Sequence, residues 1–430
     1  MTMELSRRGM LGTIAATAFA APALARAKTG FGAVQTLIES YVTSGKVPGA
    51  VVAIVRPGAF RPEYLMAGKA AFGADSKGGG APVSPDTLWR IYSMTKPVTA
   101  MAVMQQVAAG RLALDMPISA VMPEFANMRV LVDPAKGLES RPAAGPITVR
   151  HLLTHTAGLT YTIVGNGPLE KEYRRLGLFP GSATSGTQPG DGKVPNLQGF
   201  VAGLASLPLY GEPGKSWRYS VALDLAGGML ERLTGKSFDA VLDEQLFRPL
   251  GMANTGFQVR PGQLPKLSSN YAWVKPDLTP LNAPVLIDGP LRSDWIGPPK
   301  LLAGGAGLLS SARDYARFGQ MLLNEGLFEG RQVMPRGVAR LATSNLLPVG
   351  VFQDGTNGFG AGGRVTLFDT VAKLPEGNAV GTYGWGGAAG TLFQVDRVRQ
   401  MAVIVMLQYL PQQRFPLGKE LQAAINRDVA

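Results

Sequence analysis

Residues 88–96 read LWRIYSMTK, and Ser93 and Lys96 within this stretch form the only S-x-x-K in the chain. The stretch follows a Gly-, Pro-, Ser- and Asp-rich segment, 73–87, that reads as a loop. It runs into apolar positions Val98, Met101, Ala102, Met104 and Val107. That spacing predicts a helix starting near Ser93 and ending at Gly110. Residues three apart on a helix share a face about 5–6 Å apart, which sets the Lys96 amine beside the Ser93 hydroxyl. A serine hydroxyl is a weak nucleophile until a neighbour takes its proton. A lysine can take it where desolvation disfavours the charged amine, and a helix N-terminus favours the negative charge that develops there. The spacing alone is weak: 20 serines and 15 lysines give roughly one such match by chance. A serine that merely caps the helix is the plain alternative.

Outward from this point the chain divides into three stretches. Residues 31–45 have helical spacing at Phe31, Val34, Leu37, Ile38 and Tyr41, with Gly45 as a stop. Ala50–Val55 is a short apolar run typical of a buried strand, and Arg61–Gly68 reads as its hairpin partner. Residues 110–300 offer no convincing strand ladder. Their helical patterns, Thr148–Thr156, Asn196–Leu207, Ser220–Thr234 and Ser237–Leu246, are broken by Pro and Gly. The Gly/Pro-rich stretches 158–195 and 255–300 read as long surface or lid loops. From about 301, Ala312–Glu325 is amphipathic, and Gly390–Asp396 and Gln400–Tyr409 form a second hairpin pattern. Residues 416–428 close the chain as a helix.

The expected fold is therefore α+β. An antiparallel sheet built from both ends of the chain, 28–92 and 301–430, is flanked by N- and C-terminal helices. A mostly helical domain with lid-like loops, 93–300, is inserted between. Ligand sites favour such junctions.

Composition excludes much else. The chain has 430 residues, 46% of them hydrophobic and 17% charged, so it can bury a large core and is not disordered as a whole. It has no cysteine, which excludes disulfides, zinc–cysteine sites, iron–sulfur clusters and thiol nucleophiles. The net charge of +12 is scattered, with no basic run interleaved with aromatics, so no nucleic-acid partner is expected. No G-x-S-x-G occurs, and the two Gly-Lys-Ser tripeptides, 214–216 and 235–237, lack the glycine five positions earlier that a phosphate-binding loop needs. The only histidines, His151 and His155, have the i, i+4 spacing of a helical zinc pair. Leu152 stands where a metalloprotease carries its glutamate, so both read as structural and no metal is expected.

The first 27 residues read as an export signal. Arg7-Arg8 precedes an Ala-rich apolar stretch to Leu24, and Ala23-Leu24-Ala25 and Ala25-Arg26-Ala27 supply small residues for cleavage. The paired arginines suggest the twin-arginine route. The stretch is short for a stable membrane anchor, so a periplasmic or secreted protein is expected; a cytoplasmic chain with an N-terminal extension is the alternative.

Two further elements carry chemistry. Tyr219, in Trp217-Arg218-Tyr219-Ser220-Val221, precedes an apolar helical stretch, and a phenol near a lysine can relay protons; alone it reads as a packing tyrosine. Tyr383-Gly384-Trp385-Gly386-Gly387-Ala388-Ala389-Gly390 leads into the strand Thr391–Val395. Glycines there allow close approach of a ligand or backbone, and an edge strand offers free N–H groups to an oxyanion. Its plain reading is a glycine-rich turn with a core tryptophan.

Taken together, the three elements resemble the serine β-lactamase and penicillin-binding protein superfamily, closest to the class C β-lactamase-like family VIII carboxylesterases. Leu88–Lys96, Ile147–Leu159 (ITVRHLLTHTAGL), Gly211–Asp224 (GEPGKSWRYSVALD) and Gly304–Phe318 (GGAGLLSSARDYARF) carry the resemblance, which spans about residues 33–425. It implies Ser93 as the acylated nucleophile, Lys96 as its base and Tyr219 as the proton-transfer partner. It also implies an oxyanion hole from the N–H groups of Ser93 and of Ala388, on the strand after Trp385-Gly386-Gly387. No cofactor is implied, and the partner would be a small-molecule ester. The chain departs from the β-lactamase pattern at Tyr219-Ser220-Val221, where that pattern resembles Y-x-N. It departs again at Trp385-Gly386-Gly387, where the pattern resembles K-T-G. Trp385 cannot answer a substrate carboxylate, and Val221 cannot read a substrate amide. Neutral short- to medium-chain esters are expected over β-lactams. The alternatives are a β-lactamase or D-Ala-D-Ala carboxypeptidase, an acyltransferase, or a non-catalytic penicillin-recognising protein.

Overall fold

The computed structural model describes residues 30–57, 61–73, 80–179, 194–275, 279–299, 301–348, 351 and 355–430. The expected export signal, 1–27, lies outside the described residues.

Among the described residues the largest sheet has seven strands, all antiparallel: β1 (Gly49–Val55), β2 (Glu63–Gly68), β3 (Asn357–Phe359), β4 (Arg364–Thr366), β5 (Tyr383–Gly386), β6 (Leu392–Asp396) and β7 (Met401–Met406). Their order is β3-β4-β5-β6-β7-β1-β2, so the two ends of the chain meet where β7 pairs with β1. Every residue of β1 and β7 is buried, which is why both read as unbroken apolar runs rather than alternating ones. One face is covered by α1 (Gly32–Thr43) and α6 (Leu417–Val429), the other by α5 (Ala312–Leu323). α1 buries Val34, Ile38 and Tyr41, one helical stripe. Its first turn is closed from the far end of the sequence: the Asp428 carboxylate accepts from the N–H groups of Ala33 (2.8 Å) and Val34 (2.9 Å), negative charge at a helix start.

The central stretch is mainly helical. α2 (Thr95–Ala108) is buried almost all round, packed against α4 (Ala222–Thr234) and the helix Arg336–Ala342; α3 (Val149–Leu153) packs on α4. α2 starts at Thr95 rather than at Ser93, because Tyr92–Met94 forms a tighter 3-10 turn. That turn begins at Tyr92 with φ of 43°, a strained value for a bulky residue.

Three expectations are corrected. Residues 110–300 do contain ladders, Arg129–Leu131 with Ser140–Pro142 and Asn270–Val274 with Pro280–Asp288. The second was hidden by Pro280 and Pro284, which suggest a loop. The strand tolerates them because Pro280 is its first residue and its burial is shallow. Within 158–195, Pro168–Leu176 is a helix, with Pro168 at its first turn and Gly177 in the left-handed conformation at its end; residues 180–193 lie outside the described residues. Finally, Tyr383–Gly386 is itself a strand, and not an edge strand. β4 pairs with it only at Tyr383 and Gly384, so Trp385 and Gly386 extend past the end of their neighbour.

Candidate active site

The 3-10 turn before α2 presents Ser93, and the first turn of α2 presents Lys96. Lys96 Nζ donates to Ser93 Oγ at 3.2 Å and to the Gly305 carbonyl at 2.8 Å. Lys96 is fully buried, and among the described residues it enters no ion pair. The extended segment before α4 brings in Tyr219, whose hydroxyl hydrogen-bonds Ser93 Oγ at 2.6 Å. Lys96 Nζ lies 4.5 Å from the centre of the Tyr219 ring. The three groups expected from the sequence thus form one hydrogen-bonded cluster, although Tyr219 is 126 residues from Ser93.

The Tyr219 segment is held by the segment 155–160 running beside it. Arg218 N–H donates to the His155 carbonyl (2.9 Å) and Val221 N–H to the Thr160 carbonyl (3.2 Å). Arg218 adds a side-chain tie, donating to Thr160 Oγ1 (3.0 Å) and pairing with the nearly buried Glu170 (2.9 Å). Glu170 is thereby held below the ordinary glutamate pKa by Thr160, its backbone and Arg218, against the opposing effect of burial.

Two buried groups that sequence reading did not single out stand behind the cluster. Asp224, in the first turn of α4, accepts from Gly305 N–H at 2.7 Å. The Gly305 peptide therefore receives Lys96 on its carbonyl and is held by Asp224 on its nitrogen. A Cβ on Gly305 would crowd the Asp224 carboxylate, and one on Gly304 would overlap the Leu223 carbonyl, so only glycines let this loop pass. Burial raises Asp224 to about 6, with Lys96 and the Gly305 N–H pulling the other way. Tyr161, 5.5 Å from the Tyr219 ring, is pushed well above the ordinary phenol value by burial, with Asp224 and Tyr219 adding to it. The available signal for Asp224 was a lone acid inside the apolar run Ala222–Leu230.

Trp385, at the end of β5, faces Tyr219 (ring centres 5.7 Å apart) and Phe359 (5.3 Å). Ala388 lies in the turn between β5 and β6, not on the strand after Gly387 as expected. That turn is tight: Gly387 N–H donates to the Thr391 carbonyl (2.8 Å) and Gly390 N–H to the Gly387 carbonyl (3.0 Å). Among the described residues the Ala388 N–H meets no backbone acceptor. Gly386 has Gln412 and Leu392 as its near neighbours, and Gly387 lies against Ile91, two residues before Ser93.

Ser93, Tyr161, Tyr219, Trp295, Trp385 and Ala388 line a cleft of about 1920 Å³, above the range of about 300–1,000 Å³ usual for small-molecule sites. Among the described residues no three His, Asp or Glu side chains gather as metal ligands.

A family model described as Beta-lactamase matches residues 34–427. Esterase EstB of Burkholderia gladioli is 32% identical over 373 residues, covering 84% of this chain and 86% of that protein. An uncharacterized protein of Mycobacterium tuberculosis is 33% identical over 347 residues, covering 77% and 80%. Among solved structures, EstCE1, a hydrolase with promiscuous acyltransferase activity, superposes with a TM-score of 0.72 at 24% identity, covering 92% of this chain and 97% of its own; that likeness concerns the fold. The chain belongs to the Beta-lactamase family.

Proposed function

We propose that this chain is a serine carboxylesterase of the family VIII type, cleaving short- to medium-chain esters through an acyl-Ser93 intermediate. The observation that carries the reading is the position of Ser93 Oγ, 2.6 Å from the Tyr219 hydroxyl and 3.2 Å from Lys96 Nζ at the edge of a large cleft. The EstB relative supports it.

In this reading Ser93 Oγ attacks the ester carbonyl carbon as Lys96 accepts the hydroxyl proton. The oxyanion is received by the N–H groups of Ser93 and Ala388, with Trp385, Gly386 and Gly387 shaping that wall. Collapse breaks the bond to the alcohol oxygen, which takes a proton from the Tyr219 hydroxyl; Tyr219 is reprotonated from Lys96. Water then attacks the acyl-enzyme carbonyl as the Tyr219–Lys96 pair takes its proton; collapse breaks the bond to Ser93 Oγ, which takes that proton back as the acid leaves. Tyr219 and Lys96 both hydrogen-bond Ser93 Oγ before substrate arrives, which is the entropic advantage of a preassembled site.

Trp385 supplies an aromatic face where a cation would bind a carboxylate, so neutral esters should outrank anionic β-lactams. We also read residues 1–27 as an export signal, giving a periplasmic or secreted enzyme. Among the described residues no helix is long and apolar enough to cross a membrane.

The test is a panel of p-nitrophenyl esters of increasing acyl length, run beside nitrocefin on wild type and Ser93→Ala. Ester turnover above nitrocefin turnover, lost in Ser93→Ala, is expected. Full ester activity in Ser93→Ala overturns the reading, and nitrocefin turnover above every ester points to a β-lactamase. Ester product without free acid in the presence of an alcohol points to acyl transfer.

A further inference from the structure

We propose that His155 is a positioning residue for Tyr219, its main-chain carbonyl holding the Arg218 N–H and its ring Nδ1 the Ser220 N–H on either side of the phenol. The inference rests on reading Tyr219 as the proton-transfer group.

His155 lies just past α3, with φ of 57°. A side chain in the left-handed region is uncommon and persists where its surroundings require it, although His tolerates it better than most residues. The consequence of this backbone turn is that both polar ends of the residue face one segment. The His155 carbonyl accepts from Arg218 N–H at 2.9 Å. Its ring Nδ1 accepts from Ser220 N–H at 3.3 Å and hydrogen-bonds Ser220 Oγ at 3.1 Å. Tyr219 is the single residue between Arg218 and Ser220, whose N–H groups are held. The imidazole also packs on the Tyr219 ring at 4.8 Å, with Phe359 (5.5 Å) and Trp217 (5.9 Å) completing its surroundings.

These contacts fix the tautomer. A backbone N–H can only donate, so Nδ1 presents its lone pair and the ring proton sits on Nε2. Nε2 is buried with no oxygen or nitrogen partner among the described residues, standing amid aromatic rings. A second proton would break the Ser220 contact and place an unpaired cation near Lys96. Burial, with Lys96 adding to it, holds His155 well below the ordinary imidazole value. The titratable side chains near it are Lys96 and Tyr219, and no carboxylate pairs with it among the described residues.

A neutral ring here does two things a generic core residue would not. It accepts the Ser220 N–H, which sets the backbone from which the phenol projects. It also leaves no charge beside the Ser93–Tyr219–Lys96 cluster. A displacement of about 1 Å at a reacting group can cost about 10²-fold in rate, so the hold should be felt in kcat rather than KM.

The experiment has two arms. The chain contains only two histidines, so ¹⁵N-histidine labelling of wild type gives two ring spin systems, assigned with His151→Gln. The expected result is one ring that is the Nε2–H tautomer at neutral pH and takes a second proton only well below the ordinary imidazole range. A ring proton on Nδ1, or protonation of His155 within the ordinary imidazole range, overturns the proposal whatever the enzyme's activity. That arm is independent of the esterase reading.

The second arm compares His155→Asn, whose side-chain oxygen can replace Nδ1, with His155→Phe, which keeps a ring and removes the acceptor. The expected kcat loss is about 10²-fold for Phe and less than about tenfold for Asn, with KM changing little in either. Each is then combined with Tyr219→Phe. If His155 works through Tyr219, the Phe substitution costs little more in that background; full additivity overturns the proposal. Should His155→Phe not fold, His155→Leu, which also removes the acceptor, and its Tyr219→Phe double carry the same comparison.

Discussion

Gly387 lies against Ile91, so close that a Cβ at 387 would overlap the Ile91 carbonyl. The contact joins the turn carrying Ala388 to the backbone two residues before Ser93. In the proposed mechanism this contact would set the N–H groups of Ser93 and Ala388 toward one oxyanion. Gly387→Ala must push the turn away. Loss of one oxyanion donor costs about 10²–10³-fold in kcat, and that loss is expected here with KM little changed. Unaltered kcat in a folded Gly387→Ala protein would remove Ala388 from the site.

Tyr219→Phe deletes one hydroxyl and keeps the ring that packs on His155, Tyr161 and Trp385. General acid–base assistance is worth about 10²–10⁴-fold, so kcat should fall by about that factor while thermal unfolding stays close to wild type. A large drop in both would mean the phenol serves the fold.

Asp224 gives the fold a pH dependence. Burial raises its carboxyl from 3.8 to about 6 in the folded protein. Its contribution is fully present below the unfolded value and disappears as pH rises through the folded one. Above that, an ionised buried carboxylate remains, a cost on the order of 2–3 kcal/mol. Asp224→Asn keeps an acceptor for the Gly305 N–H and has no such charge. The gap in melting temperature, variant minus wild type, should widen from pH 4 to about pH 7 and then level off. A gap independent of pH would contradict the assignment.

Arg90 and Asp288 form a fully buried ion pair, and Arg90 also donates to the Ser268 carbonyl (2.7 Å). Burial lowers Arg90 to about 10, which still leaves it charged at neutral pH. Removing one partner strands the other, a loss of about 3–5 kcal/mol. Arg90→Met and Asp288→Leu should each shift urea unfolding by that amount, and the double variant should recover part of it. Additive losses would show that the two side chains act separately.

What could be read in the sequence follows the range of the interactions. Ser93 and Lys96 were legible because one helical turn fixes their relation, and β1 and β7 because burial on both faces writes an unbroken apolar run. The hairpin Asn270–Val274 with Pro280–Asp288 was not, since its prolines sit where a weakly buried strand tolerates them. Tyr219 needed the family resemblance, because nothing local brings it across 126 residues to Ser93. The roles of Asp224, Gly305 and His155 were out of reach. Each depends on a peptide group whose partner is set by tertiary packing, and a backbone donor or acceptor leaves no mark in side-chain pattern.

The carboxylate of Asp428 on the first turn of α1 ties the tail of the polypeptide to its opening helix. Neither helix can then fray alone. Loosening the tail would free the helix that shields one side of β1 and β7, and water would reach the most apolar seam of the molecule. A bulky fusion at the tail would press on this clasp first, well away from the nucleophile.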